Sequence, residues 1–240
     1  TIGGGTNGYG TLFKLTRKGK LKVLHDFTYN DGVGVTGNLS RDKAGNFYGT
    51  APMGGINNSG TVFKYAADGT FTVPHAFNGT DGSNPNEGFV ADKAGNLYGV
   101  TSEGGTQNWG TVFKIDSVGN FSTLYNFTGS DDGAEPYGGL AIDRDGNLYG
   151  STVRGGISGV GNVFKLAPDG TLTTLYSFIN GTDGAKPYGD MLLVGDKLFS
   201  TTTAGGDPSC RCGVIYEITA KGEEKVLHTF TGTDGNGYSD

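Results

Sequence analysis

Asp31, Asp81, Asp132, Asp183 and Asp234 each precede a glycine and recur every 50 or 51 residues. Evenly spaced carboxylates could ring one mouth of a symmetric molecule and offer oxygen ligands to Ca²⁺, which takes six to eight. Asp-Gly is also an ordinary turn pair, because Asp caps the turn and Gly accepts positive φ. No EF-hand or nonapeptide calcium motif is present. Turn chemistry is therefore the expected role and calcium the lesser alternative. No cofactor is required.

The three histidines, His25, His75 and His228, fall at one place in the repeat, where two other copies carry Tyr125 and Tyr176. A position that takes His or Tyr reads as an amphipathic strand position rather than a catalytic one. Glu87, Glu103 and Glu135 are candidate acids for glycosidase or lyase work, but nothing in the sequence orders them into a pair. The segments that break the repeat carry Tyr9, Asn57, Asn58, Glu103, Gln107, Asn108, Trp109 and Arg154. Amides beside aromatic rings suit glycan recognition, since rings stack on a sugar's apolar face and amides pair with its hydroxyls. The competing role for Trp109 is to cover the base of its loop. Cys210 and Cys212 could form a tight disulfide or stay free; two cysteines are too few for a zinc site.

These side chains sit on a repeating frame. GTLFKL at position 10 returns as GTVFKY at 60, GTVFKI at 110, GNVFKL at 161 and GVIYEI at 213. A second block ends each time in an aromatic, at Phe27, Phe77, Phe127, Phe178 and Phe230. Each unit of about 50 residues reads as four short strands, A to D, split by Gly, Asp and Asn turns. No helical period is evident. Four antiparallel strands per unit, repeated radially, predict an all-β propeller, with Phe13, Phe63, Phe113, Phe164 and Tyr216 packing between blades. Composition agrees: 46 of 240 residues are Gly, yet 14 Phe and 12 Tyr can build a core. The net charge of −6 makes nucleic acid a poor partner. No apolar run approaches the roughly 20 residues of a membrane helix, and no basic-then-apolar leader is visible.

The DxxGNLYG segments at 92–99 and 143–150 resemble NHL-type and regulator-type propeller repeats. The fuller unit, GTVFK, LYxF, DG and GNLYGxTxxGG, resembles the GloVer tandem repeat over essentially the whole chain. Segment 194–200 departs from it by shortening the A–B turn. The resemblance implies a bacterial surface or secreted propeller and no defined chemistry. By analogy with NHL blades, residues 1–33 supply strands C and D of a split blade, and 34–84, 85–136, 137–186 and 187–240 are successive blades of one domain. A five-bladed ring with one incomplete blade is expected. The missing strands belong to a longer chain, or to another chain, which would build an oligomer or filament, or else the ring is open or of another size. The expected function is a non-enzymatic scaffold binding glycan or protein through its loop face, without membrane insertion. The alternatives are a carbohydrate-active lyase or hydrolase and a self-assembling structural subunit.

Overall fold

The computed structural model describes residues 1–235; the last five positions of the 187–240 repeat lie outside them. The chain is all-β. A hairpin of β1 (Thr11–Leu15) and β2 (Leu21–Asp26) comes first. The next sheet orders β3 (Ser40–Arg41), β4 (Phe47–Ala51), β5 (Thr61–Tyr65) and β6 (Phe71–Ala76). The following one holds β7 (Ser83–Pro85), β8 (Val90–Ala91), β9 (Leu97–Glu103), β10 (Thr111–Ile115) and β11 (Phe121–Asn126). Then come β12 (Ala141–Ile142), β13 (Leu148–Thr152), β14 (Asn162–Leu166) and β15 (Leu172–Ser177). The last sheet has β16 (Ala185–Pro187), β17 (Leu192–Val194), β18 (Lys197–Ala204), β19 (Val214–Thr219) and β20 (Glu224–Thr229). Neighbouring strands are antiparallel throughout, as blades of a propeller require.

The innermost strands are shorter than the sequence suggests. Strand A keeps only two or three residues because the centre is crowded: a Cβ on Gly88 would lie 2.5 Å from Asn38 O, and one on Gly138 would lie 2.2 Å from Gly189 O. In two blades the segment before strand A pairs with strand B as well, as β7 and β16 do.

The A–B turn explains the DxxGNxY motif. Asp143 accepts the Asn147 backbone N–H at 2.9 Å, its side-chain amide at 2.7 Å and the Tyr149 hydroxyl at 3.0 Å. Asp92 holds Asn96 and Tyr98 in the same way. Burial alone would push these carboxyls up, but the donors outweigh it and hold both below the usual range. Burial and the carboxylate partner push Tyr98 and Tyr149 up to about 12.

The core lies between blades. The phenylalanine that follows strand D meets the strand C aromatic of the next blade edge-on: Phe27 on Phe63, Phe77 on Phe113 and Phe127 on Phe164 at 5.2 Å, and Phe178 on Tyr216 at 5.1 Å. A β-bulge in the C–D pairing lies beside that aromatic in each blade. The ring reaches over strand B, where Gly49, Gly99 and Gly150 leave room; a Cβ on Gly150 would lie 2.6 Å from Phe164 Cζ. Phe13 departs from the expectation. It is 43% exposed where its counterparts are fully buried, because no preceding sheet packs on the β1–β2 hairpin.

Candidate functional site

The D–A and B–C loops share one face and are tied together by their backbones. Gly55 N–H donates to Tyr29 O at 2.7 Å, and Gly105, Gly156 and Gly206 donate to Gly79, Ser130 and Gly181 at 2.8 Å. Each donor is the second glycine of a pair at positive φ. The first glycine is forced by crowding: a Cβ on Gly54 would lie 2.5 Å from Tyr29 O. A second set of bonds, Asn84 to Ser59, Glu135 to Trp109 and Lys186 to Val160, joins three of the B–C loops to the blade that follows. The result is a continuous rim with a fixed backbone.

The five repeated aspartates each serve a loop of this rim. Each carboxylate stays within its own blade. Asp31 and Asp81 accept His25 and His75 Nε2 at 2.9 and 3.0 Å. Asp132 and Asp183 accept the Tyr125 and Tyr176 hydroxyls at 3.0 and 3.2 Å, and Asp234 accepts His228 at 3.0 Å. Every one also accepts a backbone N–H of the loop, from Thr28, Asn78, Thr128, Ile179 or Thr231. Among the described residues no group of three or more His, Cys, Asp or Glu could hold a metal ion. Oxygens spent on donors of their own blade are not aimed at a shared centre.

This latch explains the His/Tyr exchange. Both side chains donate to the same carboxylate. The aspartate lies six residues after each His and seven after each Tyr, so the longer phenol accompanies the longer loop. That coupled spacing was the available signal, and type alone did not reveal it. His75 also stacks on Phe121 of the next blade at 3.6 Å. Burial lowers its pKa, with the Asp81 charge opposing in part.

The expected ligand residues fall into two groups. Near the β1–β2 hairpin, Tyr9 meets Tyr29 edge-on at 5.8 Å, and the Tyr29 hydroxyl donates to Asn58 at 2.6 Å. Asn57 is committed to the frame, its amide donating to Phe77 O at 3.2 Å. Farther round, Trp109 lies against Gly129 and stays 39% exposed. Its carbonyl accepts Glu135 N–H, and Glu135 pairs with Arg154 at 3.1 Å. Glu103, at the end of β9, and Gln107 and Asn108 on the Trp109 loop are exposed, Asn108 at positive φ. The rim also exposes aliphatic tips the sequence reading passed over: Ile56 at 77% and Ile157 at 80%, with Met53 and Ile179. Cys210 and Cys212 are joined by a disulfide at the B–C loop of the last blade.

A second feature lies on the axis. Glu87 and Asp190 line a cavity of about 160 Å³ with Asn38, Phe89, Leu140 and Met191. Burial raises the Glu87 pKa and the Asp190 charge adds to it. Asp190 also accepts Gly139 N–H at 2.7 Å. Glu103 ends β9 and Glu135 lies in a D–A loop, and neither is among the residues lining this cavity. Asp190 stands where the preceding blade has Gly139, a break in symmetry that could have marked it.

The profile of the Gloeobacter/Verrucomicrobia repeat matches residues 66–240. The chain belongs to this family. Solved propellers share its fold at low identity. A gluconolactonase from Xanthomonas campestris is 16% identical with a TM-score of 0.57, covering 95% of this chain and 70% of its own. The extracellular domain of a protein assigned to the hybrid two-component systems of B. thetaiotaomicron is 15% identical with a TM-score of 0.56, covering 93% of this chain and 28% of its own. No curated protein matches.

Proposed function

We propose that this repeat protein is an exported, non-enzymatic binding module that holds a protein partner on its loop face. The observation that carries this reading is the division of labour in the rim. Its repeated polar residues are spent on one another, while Ile56, Ile157, Met53 and Trp109 stay exposed on a fixed backbone. Exposed apolar side chains recurring on one loop face of successive blades support an interaction surface there. Aliphatic tips bury well against protein and pair with nothing on a sugar hydroxyl, which favours protein over glycan. The Cys210–Cys212 disulfide and the GloVer resemblance support export. The acidic charge argues against nucleic acid.

The test is binding of the purified chain to surface extract of the source cells, untreated or digested with protease. Saturable binding is expected, lost on digestion and weakened at least about tenfold by I56S/I157S and by W109A, at unchanged melting temperature. Binding indifferent to these substitutions overturns the reading. Binding that survives protease but not glycosidase would make the partner a glycan.

A second reading rests on the axial cavity. Glu87, its pKa raised beside Asp190, is suited to act as a general acid. Propellers of this fold include a gluconolactonase. Turnover of sugar lactones or glycosides that disappears in E87Q would favour catalysis over the binding role.

A further inference from the structure

The A–B turns lie on the face opposite the loop rim, and three of them line a concavity of about 1000 Å³. Its lining runs from Ala91 to Ala220 over three consecutive blades and includes nothing from β1, β2 or β20. That volume is at the upper end of the range of about 300–1,000 Å³ usual for ligand pockets. The buried part of the lining is apolar. Tyr149 and Leu198 are almost wholly covered, and Ile142 and Leu193 lie half-buried beside them.

The exposed part is charged. Lys93 stands in the turn of the first of these blades, Arg144 and Asp145 in that of the second, and Asp196 in that of the third. Two further carboxylates in the lining, Asp92 and Asp143, are already engaged, because both oxygens of each accept donors from their own turn. The four exposed charges are not. Lys93 and Asp145 enter hydrogen bonds through their backbones only. Among the described residues none of the four side chains forms an ion pair, and Lys197, next to Asp196 in the chain, pairs with Glu217 instead. The charge is therefore graded across the blades: positive on the first, both signs on the second, negative on the third. The cations recur, as Lys43, Lys93 and Arg144, but the acids enter where the repeat breaks. Asp145 stands where two earlier turns have Ala44 and Ala94, and Asp196 lies in the shortened turn at 194–200. Neighbouring turns are close enough to share a ligand, since Lys43 Nζ donates across to Lys93 O at 3.0 Å.

We propose that this concavity binds a short peptide with both ends free. The carboxylate lies against Lys93 and Arg144, the ammonium against Asp145 and Asp196, and apolar side chains cover Ile142, Leu193 and Leu198. A simple anion would leave two acids unmatched and a simple cation two bases, whereas a ligand of both signs with an apolar body matches all four. The inference is independent of the loop-face reading, because the A–B turns and the rim lie on opposite faces.

The test is calorimetric titration of the chain with the peptide Leu-Ala-Leu in three forms: free at both ends, N-acetylated and C-terminally amidated. Saturable binding of the free form is expected, weakened at least about fivefold by either cap, since each removes one exposed charge contact. K93M/R144M should weaken the free form and leave it no better bound than the amide. D145N/D196N should do the same relative to the acetylated form. All four side chains are exposed, so both variants should keep the wild-type melting temperature. I56S/I157S, on the opposite face, should leave binding unchanged. Absence of saturable binding up to about 10 mM overturns the inference, and so do caps that make no difference. Variants that weaken all three forms equally overturn it too, because the charges would then act on the fold and not on the ligand's ends.

Discussion

The His/Tyr–Asp latch shows how one side-chain pair sets loop geometry, and it carries a pH signature at His75. That imidazole stacks on Phe121 and donates a hydrogen bond from Nε2 to Asp81. Burial holds its folded pKa below the ordinary value of about 6.5. The unfolded chain therefore binds more protons than the folded one as pH falls below about 6.5. His75 contributes its full stability above that value and loses it progressively as pH drops toward the folded pKa. Urea unfolding at neutral and mildly acidic pH measures the slope. In H75F the stack is kept and the hydrogen bond lost, so stability at neutral pH should fall by about 1 kcal/mol and the His75 part of the slope should vanish. An unchanged slope would show that His75 does not titrate between the two states.

At the scale of the element, the joint between blades outweighs any single turn. Phe127 is fully buried between its own strand end and Phe164. F127A should cost about 3–5 kcal/mol, since the rigid sheets on either side cannot collapse into the space. A loss under about 1 kcal/mol in equilibrium unfolding would mean that the blades repack freely. Strand positions and the propeller class were legible in the sequence because a 50-residue period writes each strand several times over. The partners across the joints were less legible. Phe63, Phe113, Phe164 and Tyr216 were placed correctly as packing between blades, but which phenylalanine each meets depends on the angle between sheets. Phe13 shares their motif and not their burial, because burial needs a neighbouring sheet. The candidate site was read less fully. Trp109 and Arg154 stood out as breaks in the repeat, whereas Ile56 and Ile157 looked like ordinary apolar residues until the loops fixed them outward. The aspartates read first as turn residues with calcium the lesser alternative, and the His and Tyr donors that occupy their oxygens were not legible, because sequence shows spacing and not contacts. Asp190 escaped notice because only the axial crowding of strand A places it beside Glu87.

For the whole molecule, the unequal covering of the blades predicts unequal stability. Strand β14 is paired on both sides, and its Val163, Phe164 and Leu166 are buried. Strand β1 is paired only with β2, and that hairpin rests on the next blade through Leu12 and Phe27 while Phe13, Leu15, Leu21 and Val23 face outward. A two-stranded sheet is marginal by itself, so the hairpin opens without disturbing the rest, whereas opening β14 breaks two ladders and a buried joint. Amide hydrogen exchange at low protein concentration should find β1 and β2 exchanging at least about tenfold faster than β5, β10 and β14. Uniform protection across all strands would contradict the uneven covering.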